Sequence, residues 1–211
     1  MAVVVYLETE NGNFKKSALE VSSYGRKLAD ETKTNLCGIT FNSADPFKIQ
    51  KYGVEKLINI KTDHVFDAKI YADLLCKNFK DLGGTIFITG SSADSRFIFP
   101  VVSISLNASY ATNVIEFPSS ISPLVLKRSA FTNKGFVFTE LKTNHKIIGI
   151  LNNSYGIFES ERKLEVINYV AEGLVSDVQV KSIIEDEEKV SIADAEIVVS
   201  GGRGLKGPEN W

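Results

Sequence analysis

The hydrophobic positions change their period several times along the chain. Residues 2–7 are continuously apolar and end at the polar break 8–13, which predicts a strand covered on both faces and then a turn. Over 16–30 the apolar or small residues Ala18, Val21, Ser22, Gly25, Leu28 and Ala29 recur at helical spacing. Lys15, Lys16, Glu20, Arg26 and Lys27 fall on the opposite side, so this is a covering helix with a charged outer face. Strands are predicted at 35–41 and 56–60, with a second helical crossover starting near Pro46 and ending at Gly53. Phe66, Ile70, Leu74, Leu75, Phe79 and Leu82 make one face of a helix over 66–82, closed by Gly83 and Gly84 before a strand at 85–89. The loop 90–96 then opens a segment through Leu106, with Ile98, Val101, Val102 and Ser105 as its buried face.

Strands alternating with helix-length crossovers predict an α/β domain: a parallel sheet with helices on both faces and ligands at the carboxyl ends of the strands. After Asn107 the pattern becomes β-rich. Segments 109–117, 124–129, 135–141 and 146–151, separated by turn residues, predict a series of hairpins that extends the sheet. Segments 160–170 and 174–184 follow, the second alternating as a strand would. The acidic run 185–188 predicts a solvated connection. The expected organisation is a domain over 1–184, a linker over 185–194, and the start of another domain over 195–211.

Composition narrows the class. At 211 residues, 44% hydrophobic and 24% charged, the chain can bury one large core. A net charge of -2 gives no footing for a nucleic acid or an anionic membrane surface. No apolar run approaches the ~18 residues of a membrane span, and Met1 leads only into a short strand, so neither a span nor a signal peptide is expected. Cys37 and Cys76 lie far apart with no CxxC spacing and read as reduced thiols, which suits the cytoplasm.

Candidate catalytic chemistry is sparse. His64 and His145, the only histidines, sit in polar turn-like settings without a zinc-like partner and read as surface residues. Ser91 and Ser92 follow a strand but lack the GxSxG spacing of a nucleophile elbow, and neither GxGxxG nor GxxxxGK[ST] occurs. No catalytic residue and no metal site is expected. The remaining feature is the end of the chain. Ile197, Val198 and Val199 predict a short buried strand that delivers the backbone into Ser200, Gly201, Gly202, Arg203 and Gly204. There Arg203, seconded by Lys206, offers a forked cation to an anion. As residues alone, this loop reads equally as a tight turn.

The whole phrase VVSGGRGLKGPENW, 198–211, closely resembles the signature that opens the flavin-binding domain in the electron transfer flavoprotein alpha subunit family. Two further segments are similar to that family. GSSADSRFIFPV, 90–101, follows its G-x-[ST]-x-x-G-R-D-L-x-P-R phrase through Gly90, Ser92, Arg96 and Pro100, with Ser95, Phe97 and Val101 departing. KRSAFTNKG, 127–135, follows R-P-x-Y-A-G-[NK]-A through Arg128 and Lys134, with Ser129 and Asn133 departing.

The resemblance implies a three-layer sandwich of the adenine nucleotide alpha hydrolase-like type with a β-rich second half. It also implies a chain that looks like the amino-terminal part of such a subunit, cut at the domain junction. By the same resemblance Arg203 is a cofactor-binding residue for FAD, held mainly by a carboxyl-terminal domain. The implied partner is a beta subunit, which carries AMP where AMP is present. The implied role is electron transport from flavin dehydrogenases, such as the acyl-CoA dehydrogenases of fatty acid β-oxidation, to a quinone reductase or another acceptor. A carrier of this kind takes its redox chemistry from the flavin and needs no acid–base machinery of its own. Phe117, Phe131, Phe136 and Phe138, around turns in the β-rich half, are candidates for the docking face, with a core role as the alternative for each. Two other readings stand beside this one: an adenine-nucleotide-binding domain of a hydrolase-like or sensor protein, with a phosphate loop near 90–96, and a purely structural docking module.

Overall fold

The computed structural model describes residues 2–182 and 197–210. The chain divides into a body, residues 1–178, and a carboxyl-terminal unit, residues 179–211.

In the body, β1 (Ala2–Leu7) runs into a small hairpin of β2 (Thr9–Glu10) and β3 (Asn13–Phe14). Its turn residues Asn11 and Gly12 take φ of 48° and 78°, as a two-residue turn of the primed type requires. Then come α1 (Lys16–Thr32), β4 (Asn35–Phe41), a 3-10 segment (Pro46–Tyr52), β5 (Lys56–Lys61), α2 (Ala68–Asp81), β6 (Gly84–Thr89) and α3 (Ala93–Ser105). The remainder is β7 (Ser109–Val114), β8 (Ser120–Ile121), β9 (Leu124–Ala130), β10 (Gly135–Leu141), β11 (Lys146–Ile150) and β12 (Glu165–Val170).

The main sheet runs β10-β9-β7-β11-β6-β1-β4-β5-β12, with β8 on β9. Every neighbouring pair from β7 to β12 is parallel, and the β7–β9 and β9–β10 pairs are antiparallel. The apolar run of β1 explains the layers. Val3, Val5 and Leu7 join the core beneath α1, with Val21, Tyr24 and Leu28. Ala2, Val4 and Tyr6 join the core beneath α2 and α3, with Leu75, Phe79 and Phe99. Each fully buried valine or leucine stabilises this arrangement by about 1.5–3 kcal/mol. Gly25 lets α1 lie close to the sheet, since a Cβ there would stand 2.7 Å from Val5 Cγ1 and 2.9 Å from Leu36 Cδ1. This is the expected three-layer α/β sandwich.

Several local expectations change. The crossover between β4 and β5 is a 3-10 segment ended by Gly53 at φ 86°. The helix predicted from 66 starts at Ala68, because Asp67 caps it, accepting from the backbone of Lys69 at 2.9 Å and of Ile70 at 3.2 Å. On α1, Glu20 and Arg26 are buried, not solvated. Glu20 accepts backbone N–H groups of Asn153, Tyr155 and Gly156 at 2.9, 2.8 and 3.1 Å. Arg26 donates to the Gly53 carbonyl at 3.2 Å and pairs with Glu55 at 3.0 Å and Asp30 at 2.7 Å. Both charges are tolerated inside because each is compensated.

The segment 146–151 is not a hairpin arm. β11 inserts between β6 and β7, parallel to both, and a strand buried on both sides, as Ile147, Ile148 and Ile150 are, fits a central place. Residues 174–182 form no strand; Val175, Val178 and Val180 are exposed, and alternation without a neighbouring edge to bond to gains nothing. The acidic run 185–188 and the linker 185–194 lie outside the described residues. In the carboxyl-terminal unit, 197–199 is not a buried strand: Ile197 is 84% and Val199 88% exposed, and no described strand pairs with them. Among the described residues no helix is long and apolar enough to cross a membrane.

Candidate functional site

β1 connects through α1 to β4 on one side, while β6 lies on its other side, so the loops leaving β1 and β6 diverge. Such a switch point opens a crevice at the carboxyl ends of the strands. The loop after β6 carries Gly90, Ser91 and Ser92 to the start of α3, where the Ser92 hydroxyl caps the helix by accepting Ser95 N–H at 3.0 Å. A helix start of this kind attracts anions. Here the anion is internal. Glu8, the first residue after β1 and only 6% exposed, accepts the Ser92 hydroxyl at 2.6 Å and the Ser95 hydroxyl at 2.5 Å. The hydroxyls of Ser95 and Thr89 are 2.9 Å apart. Asn152 closes the loop from outside, its side-chain oxygen receiving the Ser91 hydroxyl at 3.3 Å.

Against Glu8 lies a cavity of about 320 Å³ whose walls include Tyr6, Phe41, Phe66, Tyr71 and Asp94. The rings of Phe41 and Tyr71 stack at 4.0 Å, and Phe66 meets Tyr71 edge-on at 5.2 Å. Burial pushes the Tyr6 hydroxyl well above the ordinary phenol range, and the charges of Glu8 and Asp94 push the same way. Burial first and Asp94 second raise Tyr71 likewise. Among the described residues no lysine, arginine or histidine lines the cavity. Its residues do not fit a nucleotide phosphate, which would face two carboxylates and find the helix start already taken. Arg96 is exposed on α3, beside Phe97.

The second family-like segment is spent on structure. Arg128 donates from Nε to the Thr112 carbonyl at 2.6 Å and from Nη2 to the Thr112 hydroxyl at 2.9 Å, tying β9 to β7. Lys134 lies 5.8 Å from the Phe131 ring. Of the four phenylalanines, Phe117 packs on Tyr24 at 5.6 Å, whereas Phe131, Phe136 and Phe138 are 81%, 62% and 62% exposed on the β9–β10 hairpin. His145, expected at the surface, is half-buried: its Nδ1 lies 3.0 Å from the Leu106 carbonyl and its ring meets Phe79 edge-on. Both cysteines are buried and free, and burial pushes the Cys76 thiol up to about 11.

Arg203 stands in the carboxyl-terminal unit, in a 3-10 turn (Arg203–Leu205) held by Leu205 N–H to the Gly202 carbonyl at 3.0 Å. Its guanidinium is exposed and, among the described residues, meets neither a carbonyl nor Glu209. Glu209 instead folds over Gly207, where a Cβ would lie 2.5 Å from either carboxylate oxygen. The hollow of about 370 Å³ beside it is lined by Gly201, Gly202, Arg203 and Lys206 among others. Two cations beside glycine backbone fit an anionic diphosphate, and Leu205 and Pro208 are the larger apolar side chains in the same lining.

Sequence reasoning singled out Arg203 and the 90–96 loop but missed Glu8, Tyr6 and Asp94 as one cluster. The available signal was an acid placed directly behind a doubly buried strand.

The family profile described as "Electron transfer flavoprotein domain" matches residues 3–172. The chain is 22% identical over 213 residues to "Electron transfer flavoprotein subunit alpha" of Syntrophomonas wolfei, an alignment covering 97% of this chain and 66% of that protein. It is 26% identical over 238 residues to "Protein FixB" of Azorhizobium caulinodans, covering 99% and 61%. The chain thus spans slightly under two thirds of the length of these curated relatives. A universal stress protein crystallised with cAMP aligns at a TM-score of 0.32 with 14% identity, over 48% of this chain and 87% of that one. Since the matched domain takes in nearly the entire body, from the second residue of β1 to just past β12, this chain belongs to the electron transfer flavoprotein family.

Proposed function

We propose that the chain serves as the alpha subunit of an electron transfer flavoprotein. Its body docks a beta subunit, and the segment from 195 onward begins the domain that holds FAD. The observation that carries this reading is the family match over 3–172, together with relatives named as alpha subunits. The exposed Phe131, Phe136 and Phe138 supply an apolar patch suited to a protein partner. Arg203 and Lys206 would hold the anionic part of FAD, which supplies the redox chemistry when bound. AMP, where present, belongs to the beta subunit. Electrons pass from flavin dehydrogenases, such as acyl-CoA dehydrogenases, to a quinone reductase or another respiratory acceptor, and the cytoplasm is the setting. The competing reading, a nucleotide-binding hydrolase or sensor domain, is disfavoured by the carboxylate of Glu8 at the start of α3.

Co-expression with the matching beta subunit tests the proposal. A 1:1 complex is expected, and the chain alone is expected to fold without colour. Failure to co-purify, or stoichiometric flavin in the visible spectrum of the chain alone, would count against it.

A further inference from the structure

The crevice between β1 and β6 has a chemistry that the flavoprotein role does not use. Two acids face one cavity: Glu8, anchored through one oxygen by two serine hydroxyls, and Asp94, exposed on the first turn of α3. Tyr6 also lines it. That side chain is 6% exposed, yet its hydroxyl makes no hydrogen bond to any described residue. The hydroxyl is not sealed from solvent but opens onto the cavity, so it is free to bond a group that enters there. Burial and the neighbouring acids keep this phenol neutral, able both to donate and to accept. One further side of the wall is aromatic, with Phe41 stacked on Tyr71 and Phe66 set edge-on, and the rest is Thr9, Asn11, Gly12 and Asn42.

We propose that this crevice is a binding site for a small planar organic cation of the amidinium or guanidinium class. Such a group brings N–H donors for Glu8, Asp94 and the Tyr6 oxygen, and a flat charged face for the aromatic wall. The cavity, about 320 Å³, lies near the lower end of small-ligand sites, so the ligand is compact. An anion is refused by both acids, and a neutral aromatic leaves them without a counter-charge. This site is independent of the flavoprotein reading and stands or falls without it.

Benzamidinium is the probe, titrated into the whole chain and followed by amide chemical shifts. Saturable binding is expected with a dissociation constant of about 1 mM or tighter. The shifted amides should be those of 6–12, 41–42 and 92–95. Neutral benzamide and AMP should leave them unmoved. Asp94→Asn, at an exposed position whose loss the fold tolerates, should weaken binding at least about tenfold, and Glu8→Gln should weaken it further if it folds. The proposal is overturned if benzamidinium does not saturate, if benzamide binds as well, if Asp94→Asn binds equally, or if AMP moves the same amides.

Discussion

Two loops of this chain present serine and glycine backbone that would suit an anion, and they treat charge in opposite ways. At the end of β6, the cap hydroxyl of Ser92 and the hydroxyl of Ser95 both point at Glu8, so the helix start is satisfied from within and the adjoining crevice is acidic. In the loop 200–207, Arg203 and Lys206 line an open hollow, and the nearby acid, Glu209, is turned onto Gly207. Backbone geometry alone therefore does not say what a loop binds. The side chain that reaches it first decides.

The difference extends to stability. Phe87 is fully buried, stacked on Phe79 at 5.0 Å and edge-on to Phe99 at 5.1 Å, so Phe87→Ala should lower the unfolding free energy by about 3–5 kcal/mol. Val199→Ala, at a position 88% exposed, should stay within about 0.5 kcal/mol. Similar losses in urea unfolding would erase the contrast between body and tail. Next in size is Glu8→Ala, which removes the shared acceptor of the Ser92 and Ser95 hydroxyls and should cost about 1–2 kcal/mol. Glu8→Gln, retaining an acceptor, should cost less, and an unaffected Glu8→Ala midpoint would mean that the internal anion contributes nothing. Smaller again is Ser92→Ala, which removes a helix cap at about 1 kcal/mol. A change confined to the α3 amides in hydrogen exchange would accompany it.

The strands that depend on local pattern were legible in the sequence. β4 and β10 occupy the predicted residues because each is apolar or β-branched between clear turn signals. The place of β11 was not legible, since pairing with β6 and β7 joins residues far apart in the chain. Burial of Glu20 and Arg26 was hidden for the same reason: their partners, 153–156 and Gly53 with Glu55, arrive from distant loops. The segments 174–182 and 197–199 carry strand-like patterns but meet no described edge that would reward them. At the candidate sites, Arg203 announced itself by its glycines. Glu8 looked like the first residue of a polar turn, and only the convergence of β1 with the start of α3 gives it a role.

The most direct measurement is an FAD titration, with the flavin midpoint potential, of the proposed full-length complex with a beta subunit, carrying Arg203→Ala and Arg203→Lys. Loss of a charge-assisted contact should weaken FAD about 10- to 100-fold in Arg203→Ala, and less in Arg203→Lys, which keeps the charge without the planar fork. Unchanged affinity together with an unchanged potential in Arg203→Ala would contradict the assignment and leave the residue a purely structural part of the loop.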